Sequence, residues 1–294
     1  MRLLVILLVW LMRRQLDARQ TWDLDAGLRK RLAAFSASHG SGLRYAAFLL
    51  LGLFTGLAFL LDHALSARDW YFPLFVFDAA LLLVLCGLPG WREPLLAYGE
   101  AWRRGDMQAA WHHVRHLLPA DRRGEALAPE RLHTLLTRQL ILKVFERYFL
   151  VIFYYILLGM AGVLLVRGLQ LIRDAVPDGR ARQRSATFLY GLEWVPVRLL
   201  SATFALAGDF SGWMGKGGRA SLALGEATAQ VLVRAADGAL RELALDAMGI
   251  GIQHPARWPD YGARSLQATR SLLNRSLMVW IAVLALITIV GYIP

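Results

Sequence analysis

Long apolar runs alternate with basic, polar stretches along this chain. Tyr45 to Leu61 carries no charge, Trp70 to Leu88 carries only Asp78, and Tyr148 to Val166 and Ser276 to Pro294 carry none. Each run is about the length that crosses a hydrocarbon core of roughly 30 Å as a helix. The pattern predicts four membrane-spanning helices. Leu3 to Met12 is a shorter run ended by Arg13-Arg14. Its charged start is thin and no small-residue cleavage site follows, so it reads as an uncleaved segment that docks on the bundle rather than as a signal peptide. Phe188 to Ala207 is apolar too, but Glu193, Pro196 and Arg198 interrupt it.

Between the runs the spacing is helical. Leu95, Ala101, Trp102, Ala109, Ala110, Val114 and Leu117 recur at helical spacings. Pro119 breaks that pattern, and Ala128-Pro129-Glu130 opens another helix. Gly208 to Gly218 reads as a glycine-rich loop, and Ala220 to Met248 as a helix of small residues. Strand alternation and internal repeats are lacking. The expected fold is an all-α polytopic membrane helical bundle, with about four full transmembrane helices plus re-entrant or amphipathic helices. One integral-membrane domain covers residues 1–294, with 91–147 and 173–275 as polar helical loops within it.

Composition agrees: 56% of the 294 residues are hydrophobic and 19% charged, and mean hydropathy is +0.42. Soluble domains carry about a quarter charged residues. The net charge of +11 is spread over three loops. That suits a positive-inside bias better than a nucleic-acid surface. The single cysteine, Cys86, excludes an internal disulfide and packs as a small apolar residue.

The charge distribution sets a puzzle. Loops 13–44, 91–147 and 173–275 are all basic and each prefers the cytoplasm, while the near-neutral Asp62–Asp69 link suits the opposite side. Four full crossings cannot satisfy all three. Either some segment re-enters or Phe188–Ala207 itself crosses, and Pro196 makes that segment a candidate broken element.

Few residues carry candidate chemistry. Glu193 and Arg198 are five apart, on different faces of a straight helix; a break at Pro196 would bring them together. Arg198 then either binds an anionic ligand group, which its fork suits, or pairs with a carboxylate inside the bundle. Asp78, mid-run, is either functional or a bonded structural acid. Glu146 and Arg147 before the third run, and Arg167 after it, anchor that helix or line a polar cavity. His112 and His116 are one turn apart but lack the glutamate of a zinc-protease helix. Gly212, Gly215 and Lys216 miss the spacing of a phosphate loop. No catalytic set and no metal site emerge.

Leu192-Glu193-Trp194-Val195-Pro196-Val197-Arg198-Leu199 resembles the Trp-hydrophobic-Pro-x-Arg-Leu signature of the AmpE and CobD/CbiB membrane proteins. Phe145-Glu146-Arg147-Tyr148-Phe149 through Gly159-Met160-Ala161-Gly162 and Arg167 is similar to their third span. Gly105-Asp106 with Ala109-Ala110 resembles their Gly-Asp helix, and Asp246 to Ile250 with Tyr261-Gly262 their C-terminal signature. The CobD/CbiB branch implies a cobalamin-pathway amide ligase, adenosylcobinamide-phosphate synthase. That branch's Gly-Asp-Pro and Pro-His-Pro-Val-Arg elements are missing from Gln15 to Leu32, and Lys143 to Arg147 replaces its acidic and amide element.

The AmpE resemblance implies an inner-membrane protein linked to β-lactamase induction and cell-wall recycling, a sensor or modulator rather than an enzyme. The expected ligand site gathers Glu193, Trp194, Pro196, Arg198, Glu146 and Arg147 around an anionic small molecule. Expected partners are membrane lipid and a second copy of the chain, since Gly52 and Gly56 form a Gly-x-x-x-Gly pattern; nucleic acid is not among them. No cofactor is indicated. A transporter is the third reading, resting on Asp78 and the interrupted segment.

Overall fold

The structure, a computed structural model, describes residues 1–16, 27–31, 42–119, 122–123, 127–176, 179–223, 225–240 and 258–290. Among these all regular structure is helical. The principal helices are α1 (Arg2–Leu16), α2 (Gly42–Ser66), α3 (Tyr71–Leu85), α4 (Arg92–Arg103), α5 (Met107–Val114), α6 (Pro129–Val144), α7 (Leu150–Ala175), α8 (Arg180–Ala207), α9 (Thr228–Leu240) and α10 (Trp258–Ile289). The chain forms two compact units. The first comprises Met1–Pro89, Glu146–Pro196 and Leu284–Pro294; the second comprises Gly90–Phe145 and Val197–Val283.

In the first unit the decisive feature is α7. Gly159 interrupts it with φ 66° and ψ −153°, a region essentially reserved for glycine. Glu146, in the π turn Phe145–Phe149 ahead of α7, pairs with Arg173 at 2.9 Å. On a straight helix residues so far apart in sequence would be about 40 Å apart at 1.5 Å per residue. The chain therefore folds back at Gly159, and α7 is a helical hairpin. The expectation of one straight helix from Tyr148 to Val166 is corrected: the helix turns back at Gly159.

Each arm has its own neighbour. The first runs against α3, with Tyr155 bonded to Asp78 and Cys86 Sγ donating to the Arg147 carbonyl at 3.2 Å. The second runs against α2, where Gly168 leaves room for Leu51, and Ile172 and Val176 pack on Ala47, Phe48 and Leu51. One end of this unit thus gathers Arg13, Cys86, Glu146 and Arg173, and the other gathers Arg2, Asp62 and Gly159.

The N-terminal run docks as expected, α1 packing on α3 and α7. Its Arg13 is more than a flanking charge. The guanidinium crosses Gly87, where a Cβ would collide with it, and donates to the Leu83 carbonyl at the end of α3. Cations suit the C-terminal end of a helix, where carbonyls lack ladder partners.

Among the described residues, three helical stretches are long and apolar enough to cross a membrane: Ala47–Ser66, Pro129–Ala175 and Trp258–Ile289. The apolar Tyr71–Leu85 is shorter. The middle stretch owes its length to both arms of the hairpin. Leu49, Leu53, Phe54 and Leu60 of α2 and Phe72 of α3 lie exposed, the apolar outer surface a lipid-embedded helix presents. The protein is an all-α membrane bundle.

The second unit is built from the polar stretches and has its own core. α4 and α6 meet α10 around Tyr98, Trp102, His133 and Tyr261, all buried. His133 faces Tyr98 Oη at 3.0 Å through Nδ1 and Ser265 Oγ at 3.1 Å through Nε2. Trp102 Nε1 donates to the Trp258 carbonyl at 2.9 Å. The expected glycine-rich loop is helical: Phe210–Trp213, the π turn Met214–Gly218 and Arg219–Leu222 follow one another. Asp209 caps this segment by accepting from the Ser211 and Gly212 amides. Its glycines allow contact with α9, since a Cβ at Gly238 would lie 2.7 Å from the Gly212 carbonyl oxygen.

Candidate functional site

Arg198 lies in the second unit, one helical turn from a set of polar contacts centred on Ser201. Proline removes a backbone donor and usually kinks a helix, yet α8 continues through Pro196. The expected break that would join Glu193 to Arg198 is not formed. Glu193 belongs to the first unit, where it is buried and its charge reaches Tyr154. Tyr154 in turn donates to the Leu192 carbonyl at 2.9 Å. Trp194 is half-buried and Pro196 buried.

Arg198 is half-buried, and its Nη2 donates to the Ala223 carbonyl at 2.7 Å. One helical turn on, Ser201 Oγ meets Ser221 Oγ and accepts from Trp213 Nε1 at 3.1 Å. Ser221 Oγ donates to the Gly217 carbonyl at 2.9 Å. The helical Phe210–Leu222 segment supplies Trp213 and Ser221, so the π turn at its middle sets their phase relative to Arg198. The indole N–H and the two hydroxyls bond one another and the Gly217 carbonyl, and the guanidinium of Arg198 is the group here whose chemistry suits an anion. Lys216 pairs with Asp237 at 2.9 Å, so the would-be phosphate-loop lysine is tied to α9.

Glu146 and Arg147 stand elsewhere, in the first unit. Glu146 pairs with Arg173, whose Nε also bonds Asp174 at 2.8 Å. The Arg147 carbonyl accepts from Cys86. These contacts fix the base of the hairpin. Buried Arg167 bonds its neighbour Gln170.

Asp78 is buried and accepts from Tyr155 Oη at 2.7 Å. Sequence reading found Asp78 but missed its companions Arg2, Asp62 and Tyr155, because they sit at run ends or look like ordinary aromatic packing. The available signal was Asp62 closing a charge-free run. His112 and His116 gather no acidic or thiol ligand, and no group of three or more potential metal ligands occurs among the described residues. Burial, and the charges of Arg123 and Arg115, push His116 below its ordinary imidazole value.

The sequence matches the family described as "Regulatory signalling modulator protein AmpE" over residues 1–293. The chain belongs to the AmpE family. Signature residues Trp194, Pro196 and Arg198 thus lie in the matched span, whereas Asp246 to Ile250 fall outside the described residues. The match lends no support to the CobD/CbiB relationship. No curated protein matches the chain, and no solved structure does.

Proposed function

We propose that this AmpE-family chain is an inner-membrane signalling modulator, linked to β-lactamase induction and cell-wall recycling, that binds an anionic small molecule at Arg198. The family match supports a regulatory signalling role. The observation that carries the ligand reading is the half-buried Arg198 guanidinium, held on the Ala223 carbonyl one helical turn from the bonded Trp213, Ser201 and Ser221.

The hairpin supports the orientation. With α7 folded back, the ends of the basic stretches 13–44, 91–147 and 173–275 that reach the first unit meet at one end of it, near Arg13, Cys86 and Glu146–Arg173. The positive-inside bias assigns that end to the cytoplasm. On this reading the Asp62–Asp69 link faces the periplasm, and re-entry at Gly159 lets all three basic loops lie on one side.

The test uses the full chain in lipid nanodiscs and anionic cell-wall muropeptides as probes. Binding is expected to be lost in Arg198→Ala and partly kept in Arg198→Lys, with thermal unfolding unchanged. Binding of every probe at wild-type strength by Arg198→Ala would remove the ligand assignment. A β-lactamase induction reporter that does not respond to deletion of the whole gene would remove the pathway link.

A further inference from the structure

The hairpin turn in the first unit places four ionisable groups together where sequence reading saw one. Arg2 Nη1 donates to the Ile156 carbonyl at 2.6 Å, three residues before the break at Gly159. Arg2 Nη2 stands 4.0 Å from Asp62 Oδ2. A Cβ at Gly159 would lie 3.3 Å from that carboxylate and 3.4 Å from the guanidinium, so glycine is needed for room as well as for φ. One turn back along the hairpin, Tyr155 Oη donates to Asp78 Oδ2 at 2.7 Å.

Asp78 is 6% exposed, and among the described residues nothing donates to its Oδ1. The charged or titratable groups that act on it come from every helix around it: Tyr155 of the hairpin, Asp62 of α2 and Arg2 of α1. Asp62 and Arg2 are one negative and one positive charge and balance each other. An ionised Asp78 would leave an unbalanced negative charge in an apolar interior, with half its carboxylate unsolvated. Such burial is expensive. A proton on Asp78 makes the set neutral and leaves the Tyr155 bond intact, since the carbonyl oxygen of a protonated acid still accepts. Tyr155 also lines a cavity of about 20 Å³ with Ile6, Val9, Leu82 and Ile152, an apolar space that offers a charged carboxylate no solvation.

We propose that Asp78 is a proton-binding site next to the hairpin turn, which holds its proton on Oδ1 while Oδ2 accepts from the Tyr155 hydroxyl. The exchange is balanced: the Asp78 carboxylate takes a proton from a hydronium ion, leaving water, and returns it to water by the reverse step. The site is independent of the anion site at Arg198.

Infrared spectroscopy of the full chain in liposomes tests this. At neutral pH the wild type is expected to show a carboxylic-acid C=O band that shifts in D₂O. Asp78→Asn should lack the band, and Tyr155→Phe should keep it at higher frequency, because the hydrogen bond to the carbonyl is gone. Asp62→Asn should weaken it at neutral pH, because Arg2 then needs Asp78 as its counter-charge. Absence of the band in the wild type, or its survival in Asp78→Asn, would overturn the proposal. If Asp78→Asn does not fold, a band that fails to move in Tyr155→Phe overturns it equally.

Discussion

Glu146 Oε1 and Arg173 Nη2 are 2.9 Å apart although most of α7 lies between them. That ion pair shows that the most apolar stretch of the chain is a hairpin, closed at its base by a carboxylate and a guanidinium. Membrane-depth turns survive only where protein covers the interrupted backbone. Here Arg2 supplies that cover by bonding the Ile156 carbonyl.

The hairpin makes a topological prediction. In a Cys86→Ala background, Arg147→Cys and Asp174→Cys should both react with an impermeant maleimide from the same side of sealed vesicles. Ala67→Cys should react from the opposite side. Labelling of residues 147 and 174 from opposite sides would show a straight span.

Gly159→Ala should destabilise the protein by about 1–3 kcal/mol, the usual cost of a side chain held in a glycine-only region. The added Cβ would also press on Asp62 and Arg2. Reversible unfolding in mixed micelles measures the loss. Gly52→Ala is the control, since its Cβ would meet nothing within 4 Å.

Gly238→Ala should cost about 1–3 kcal/mol by overpacking. Its Cβ would lie 2.7 Å from the Gly212 carbonyl oxygen and 2.9 Å from Trp213 Cα, both backbone atoms. Because Trp213 also bonds Ser201, muropeptide binding at Arg198 should weaken in parallel. Thermal unfolding and nanodisc titration read the two effects.

His133→Ala should be among the more damaging changes in the second unit, about 3 kcal/mol, from the cavity it opens and the two hydroxyls it strands. Tyr98→Phe should cost about 1 kcal/mol, one hydrogen bond. Intrinsic fluorescence of Trp102 and Trp258, which pack at 4.9 Å between ring centroids, should change in the first variant and not in the second.

His116 should titrate below the ordinary imidazole value of 6.5, because burial and then Arg123 and Arg115 disfavour its cation. With the folded value below the unfolded one, its contribution to stability is complete above that range and is lost as pH falls through it. NMR of ring-labelled protein gives the midpoint. Arg123→Gln should move it upward.

The helices, the docking of α1 and the membrane class follow from the sequence, because apolar run length and 3.6-residue spacing are local properties that burial in lipid or core enforces. Asp78 was legible for the same reason: a lone acid in an apolar run stands out. The Trp194–Arg198 stretch carried the family resemblance in its residues alone. What only the tertiary structure decided was which element breaks. Pro196 carries the obvious breaker chemistry, yet α8 runs on through it. Gly159 looks like an ordinary small residue, yet it turns the chain, because Arg2 and Asp62 arrive from other helices to cover the turn. The glycines of 208–218 likewise read as a loop until α9 packs against them. In each case the outcome depends on contacts between residues far apart in the chain, which no local spacing encodes.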